Sequence, residues 1–252
     1  MKTRVVTAEI LDGLPESDPA AARSRRDLRR IHRVMGTAGL IARTLRATPS
    51  IGRGSAPVRI LELGAGDGHL MLNVARRVYA QWPNVELTLL DRLDLVDGST
   101  RMAYSALGWR VRPLVVDVLD WTAGKPAPSR ALTGGSRWDL IIANLFLHHF
   151  DSVQLSALLS VIAARGQCFV ANEPRRSWLA RAGSRLVGAI GANAVTRTDA
   201  VLSVAAGFRD SEMSALWPVG SGSWKLTERA TGLFGQQLLA ERTAGHPDAA
   251  VI

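Results

Sequence analysis

Through the middle of the chain, short apolar runs alternate with segments in which apolar residues return every three or four positions. The runs at 58–63, 85–91, 110–116, 138–144 and 167–172 have the length and aliphatic content of strands. The run at 138–144 is apolar almost throughout, as a strand covered on both faces should be. Between the runs, 70–82 places Leu70, Val74 and Val78 on one helical face, 100–107 is a short helix ending at Gly108, and Asp151 is placed to cap a helix over 152–164. Such alternation predicts a parallel sheet with helices on both faces. Farther on, 177–208 holds two helical patterns broken around Gly191-Ala192-Asn193-Ala194. Segments 224–229 and 234–242, joined through Ala230-Thr231-Gly232, predict an antiparallel hairpin.

Upstream, residues 1 to 22 read as loop, and Leu28, Ile31, Met35 and Ala38 then share one helical face while the arginines at 25, 26, 29, 30 and 33 cover the remainder. The expectation is a helix lying over the domain. Residues 1–57 are thus a helical cap and linker, with 51–57 the Gly/Ser/Pro linker itself, and 58–245 form the main domain. Within it 124–136 is a loop and 177–208 a helical cover, and 246–252 form a flexible tail.

Composition narrows the classes. An apolar content of 47% can build a sizeable core, and 252 residues suit one α/β domain with an attached segment. The net charge of +9 comes from arginine, since only Lys2, Lys125 and Lys225 are lysines. Cys168 is the single cysteine, which excludes an intramolecular disulfide and any metal site needing two cysteines, and fits a reducing cytoplasm. Residues 1–13 have no apolar signal core, and no apolar run reaches the roughly 18 residues that span a bilayer. A cytoplasmic protein without stable membrane insertion is expected, and no His/Cys/Asp spacing suggests a metal.

The most informative stretch is Glu62-Leu63-Gly64-Ala65-Gly66-Asp67-Gly68, where an apolar strand meets an acid and then glycines at alternate positions. Such glycines allow a sharp bend and close approach of a ligand. A phosphate-binding loop gains nothing from a carboxylate at the strand end, the dinucleotide fingerprint would need glycine where His69 stands, and the P-loop lysine is absent. Glu62 argues for a ligand with positive charge. The segment resembles the first motif of the class I S-adenosylmethionine-dependent methyltransferases, and five βα units with a closing hairpin resemble their Rossmann-like seven-stranded sheet.

That resemblance implies S-adenosyl-L-methionine as cofactor and assigns roles by position. Glu62 with Gly64, Ala65, Gly66 and Gly68 would take the methionine part, and Asp91 the ribose hydroxyls. Asp117, favoured over Asp120, would accept the adenine amino group, with the Val118 amide reading the ring, and Asn144 would face the methionine amine and the departing methyl. Asn144-Leu145-Phe146-Leu147-His148-His149 resembles a segment of small-molecule methyltransferases and departs from the Asn-Pro-Pro-Tyr of base methylases. A phenol nucleophile benefits from deprotonation, so His148 or His149 is the candidate base. Glu173, at the end of the next strand, is expected to point at the cleft as a second base or to pair with Arg175 or Arg176 at the rim. His32, with Arg29 and Arg33, lies on the N-terminal helix that covers the acceptor pocket in similar enzymes.

The closest likeness is to bacterial methyltransferases of polyketide and phenolic lipid pathways, carried by segments such as Asn172-Glu173-Pro174-Arg175-Arg176 and Ala215-Leu216-Trp217-Pro218. The leading expectation is therefore methyl transfer to oxygen, ahead of carbon, of an apolar phenol-like small molecule, in a protein compatible with a homodimer. The alternatives are an RNA methyltransferase, suggested by the arginine-rich helix but short of aromatic residues for base stacking, and a non-catalytic protein that kept the fold.

Overall fold

The computed structural model describes residues 3–48, 51, 56–125, 137–220 and 223–243. The expected tail at 246–252, most of the loop at 124–136 and most of the linker at 51–57 lie outside the described residues. Seven strands form one sheet in the order β3-β2-β1-β4-β5-β7-β6. They are β1 (Val58–Leu63), β2 (Val85–Asp91), β3 (Trp109–Val115), β4 (Leu140–Asn144), β5 (Cys168–Pro174), β6 (Trp224–Thr231) and β7 (Gly235–Arg242). The first five run parallel, and β7 pairs antiparallel with both β5 and β6.

Two expected boundaries shift with consequence. β4 starts at Leu140, and Trp138 makes only an isolated bridge with Gly166. β5 continues past Asn172, so Glu173 sits inside the ladder opposite Gln236. Buried apolar side chains fill both faces of the sheet: Ile60, Leu87, Ile142 and Val170 pack on one, Leu61, Leu90, Ile141 and Phe169 on the other. Cys168, on β5, is wholly buried.

The helices that matter to the site are α1 (Ile10–Gly13), α2 (Pro19–Val34), α3 (Thr37–Arg46), α4 (His69–Val78), α5 (Gly98–Ser105), α6 (Val118–Thr122), α7 (Ser152–Arg165), α8 (Trp178–Arg185) and α9 (Ala194–Ala206). The expected N-terminal helix is in fact two. Gly36, with φ of 65°, breaks the chain between α2 and α3, and Met35 is left exposed. α2 begins earlier than its apolar period suggests, because Asp18 caps it through the Ala20 amide at 2.6 Å and Pro19 has no amide to satisfy. Its buried face is Ala21, Ser24 and Asp27, not the apolar positions. Asp27 accepts from the Asn193 amide at 2.8 Å and Ser24 donates to the Asn193 side chain at 3.0 Å, so α2 is joined to α9 by polar contacts. α3 buries Ile41, Ala42 and Leu45 in the same core layer as α4.

The segment before α2, expected as loop, contains α1 and runs beside α9. Its Ile10 and Leu11 amides donate to the Asp199 carboxylate at 2.8 and 3.0 Å. Among the described residues no helix is long and apolar enough to cross a membrane.

Candidate active site

A cavity of about 450 Å³ opens at the carboxyl ends of the parallel strands. This is where a sheet of this kind presents loops to a ligand. Glu62, Gly64, Ala65, Gly66, Asp91, Asp117, Val118 and Asn144 all line it, whereas Gly68 lies behind it at the start of α4, its carbonyl accepting from the Tyr104 hydroxyl at 2.6 Å. The loop after β1 keeps its bend because Gly64 and Gly66 have φ of 66° and 55°. A Cβ on Gly64 would run into the Phe146 ring, whereas one on Gly66 would project into open space. The Gly66 amide donates to Asp91 Oδ2 at 2.8 Å and the Leu93 amide to Asp91 Oδ1 at 3.1 Å. Asp91 is thereby oriented by backbone alone, and each oxygen keeps a lone pair free.

Glu62 is only 2% exposed and its Oε2 has no hydrogen-bond partner. Burial, reinforced by the nearby charges of Asp67 and Asp91, holds its carboxyl well above the usual carboxylate range. On the neighbouring strand, Asn144 Oδ1 is likewise buried without a partner. Asp117 caps α6 through the Leu119 amide at 2.7 Å and lines the cavity. Its sequence competitor Asp120 instead meets Lys125 on the surface at 2.7 Å.

The other end of the cavity is built on a turn after β4. Leu145 takes a left-handed conformation, φ 48°, and the chain then wraps around the carboxylate of Glu173. Glu173 accepts from the amides of Phe146, Leu147 and His148 at 3.0, 2.9 and 3.3 Å and contacts His148 Nδ1 at 2.8 Å. It therefore does not point at the cleft as expected, because the prolonged β5 places it under the turn, with all its bonds made internally. Nor does it pair with an arginine: Arg176 reaches Glu212 with a two-point contact of 2.5 and 2.9 Å.

His148, 3% exposed, is held on both sides, with Nε2 at 3.2 Å from Glu9 Oε1. Burial alone would lower its pKa, but the hydrogen bonds to Glu173 and Glu9 outweigh that and lift it to about 9. An imidazolium so held is a poor proton acceptor, which removes the basis for expecting His148 as the base. His149 lines the cavity with its side chain 22% exposed, and its Nδ1 is 3.0 Å from Asp12 Oδ2. Asp12 is steadied in turn by Arg92, which donates to its carboxylate at 3.2 Å and to its backbone carbonyl. Ser203 on α9 donates to Glu9.

Glu9, Asp12, Arg92 and Ser203 were not singled out in the sequence. The one available signal is the three-residue spacing of Glu9 and Asp12, which puts both acids on one side of a helical turn. On α2, Arg25, Leu28, Arg29 and His32 face the cavity. His32 Nδ1 is shut from solvent without a partner, and burial lowers its pKa to about 4 against the pull of Asp67, so the ring is neutral. Arg29 contacts Asp67 Oδ2 at 3.3 Å and donates to His69 Nε2 at 3.1 Å.

Among solved structures similar to the chain, an O-methyltransferase family protein from Burkholderia thailandensis superposes with a TM-score of 0.58 at 16% identity, over 91% of this chain and 62% of its own. The mitomycin 7-O-methyltransferase MmcR gives 0.55 at 18% identity, over 92% and 60%. The magnesium protoporphyrin IX methyltransferase from Synechocystis, solved with bound SAM, gives 0.50 at 13%, over 93% and 88%.

The fold is that of the class I methyltransferases. No family profile matches the chain, and no curated protein matches it by sequence. The chain spans about three fifths of the length of the two O-methyltransferases, 62% and 60%. Within a methyltransferase fold, the cavity at the strand ends falls where the sheet order reverses between β1 and β4.

Proposed function

We propose that this chain is an S-adenosylmethionine-dependent methyltransferase whose acceptor is a small apolar molecule with an ionisable hydroxyl, methylated on oxygen. The observation that carries the reading is the pair of buried, unpartnered oxygens, Glu62 Oε2 and Asn144 Oδ1, lining one cavity. Leaving a buried acceptor unsatisfied costs about 1–3 kcal/mol, so the pair calls for a ligand that brings N–H donors and positive charge. The methionine ammonium of the cofactor meets that demand. Asp91 would hold the ribose hydroxyls and Asp117 the adenine amino group, while the open space at Gly66 admits the ligand against the backbone. When bound, the cofactor supplies a methyl group already activated on a sulfonium.

Acceptor chemistry falls to the residues of the β4 turn. With Asp12 accepting from Nδ1–H, the His149 ring is left with its Nε2 lone pair, the form that takes a proton from a hydroxyl. Leu11, Phe146 and Phe150 line the same cavity and exclude water from it. α2, α9 and the segment carrying Glu9 and Asp12 would serve as the cover of the acceptor pocket.

The RNA reading is weakened by the use made of the arginines. Arg29 is engaged with Asp67 and His69, and Arg30 with Asp27 and the Ile190 carbonyl, in surface contacts within this same chain. Titration with S-adenosylhomocysteine, followed by turnover with labelled cofactor on a panel of phenols, quinols and pyrones, tests the proposal. Failure to bind the cofactor product would end it, and binding without turnover on any acceptor would favour a non-catalytic protein.

A further inference from the structure

Part of the cavity wall has no role in holding the cofactor. Glu9, His148 and His149 each offer a ligand atom there, and the three atoms lie within 4.8 Å of one another. Glu9 arrives from the segment before α1, and the two imidazoles from the turn after β4. Both rings are backed by a carboxylate, His148 Nδ1 by Glu173 at 2.8 Å and His149 Nδ1 by Asp12 at 3.0 Å. Carboxylates behind imidazoles are what fix ring orientation and tautomer in metal centres.

With its Nδ1–H given to Glu173, His148 turns Nε2 toward Glu9 Oε1 at 3.2 Å. A lone pair and a carboxylate facing each other need a cation between them. A proton satisfies those two groups and leaves His149 outside the arrangement. A metal ion satisfies all three, and two ligands on a tetrahedral centre with bonds of about 2.0–2.2 Å stand roughly 3.3 Å apart, close to the separation already present. His149, at 22% the most exposed of the three side chains, is the one that draws in to complete the set.

We propose that Glu9, His148 and His149 form a binding site for a divalent first-row transition ion. Two imidazoles and one carboxylate favour zinc, cobalt, nickel or iron over magnesium and calcium, which prefer oxygen donors. Three protein ligands leave a position for a group entering from the cavity. On the methyltransferase reading, and only there, that group is the acceptor hydroxyl, whose acidity rises on coordination, and His149 then acts by holding the ion.

The test uses the full chain, stripped with a chelator, dialysed, and titrated with Zn²⁺ by calorimetry and with Co²⁺ by visible absorption. A single ion per chain is expected, with cobalt bands of a low-coordinate nitrogen and oxygen site. Glu9→Gln and His149→Ala, each checked for folding by circular dichroism, should weaken binding by about a hundredfold or more, and Asp12→Asn by roughly ten- to a hundredfold. These variants are chosen because replacing His148 strands the buried Glu173. No binding by the wild-type chain, or binding that neither Glu9→Gln nor His149→Ala alters, overturns the site. Asp91→Asn separates the two proposals: it should weaken S-adenosylhomocysteine binding by roughly tenfold to a hundredfold and leave ion binding unchanged. A wild-type chain that takes zinc and not the cofactor product upholds the site and sinks the methyl-transfer reading, and the reverse pattern sinks the site alone.

Discussion

The two ends of the cavity are built on opposite principles. At the β1, β2 and β3 end, the Asp91 carboxylate is set by the backbone amides of Gly66 and Leu93, and the buried Glu62 Oε2 is left without a partner. At the β4 end, side chains far apart in sequence satisfy one another. Glu9 and His148 are 139 positions apart, and Glu9 and Ser203 are 194. The first end is incomplete without a ligand. The second already holds its carboxylates and imidazoles against one another, which orients His149 and brings the three ligand atoms of the proposed ion site together.

Substitutions that strike one end and spare the other sharpen this contrast. His149→Ala should lower methyl transfer by about 10²–10⁴-fold, the usual worth of a positioned proton acceptor, with S-adenosylhomocysteine affinity unchanged in calorimetry. Glu173→Ala strands three amides, two of them fully buried, and an imidazolium, so chemical denaturation should show a loss of about 3–5 kcal/mol. If that variant also lost cofactor affinity in proportion, the two ends would not be separable. Asp91→Asn keeps the shape and removes the charge, and should weaken cofactor binding by roughly tenfold to a hundredfold, the worth of a charge-assisted hydrogen bond. Rates on cofactor-saturated enzyme should barely change.

The smallest effect concerns pH. Glu62 ionises in the unfolded chain near its ordinary value of 4.5, whereas its folded carboxyl stays neutral to higher pH. Above 4.5 the unfolded state therefore gains by losing a proton that the folded state keeps, and the empty protein should lose stability with rising pH until the folded group ionises too. Glu62→Gln should flatten that slope in melting curves, and it should abolish the rise in cofactor affinity expected as the wild-type carboxylate forms.

The same contrast decides what could be read from the chain alone. Val58–Leu63 and Val85–Asp91 were legible to the residue because period and composition are local, and the strand ends brought Glu62, Asp91, Asp117 and Asn144 to one cavity. Asp117, which follows the predicted strand segment directly, lines the cavity, and Asp120 does not. The burial of α2 was misread since its inner face is Ala21, Ser24 and Asp27, and a serine and an aspartate look solvated until Asn193 is known to lie against them. Glu173 was misjudged because the length of β5 is set by β7, whose pairing no local period announces. Glu9 and Asp12 sit in a stretch with α1 too short and too exposed to show any apolar period.

Cys168 gives this molecule a built-in gauge. Its thiol packs in the core layer that α3 and α4 cover, closed to water, and burial pushes its ionisation up. Because it is the chain's sole cysteine, a thiol-reactive dye attaches only when that layer opens. Labelling speed thus reports how often the helices over that face lift from the sheet.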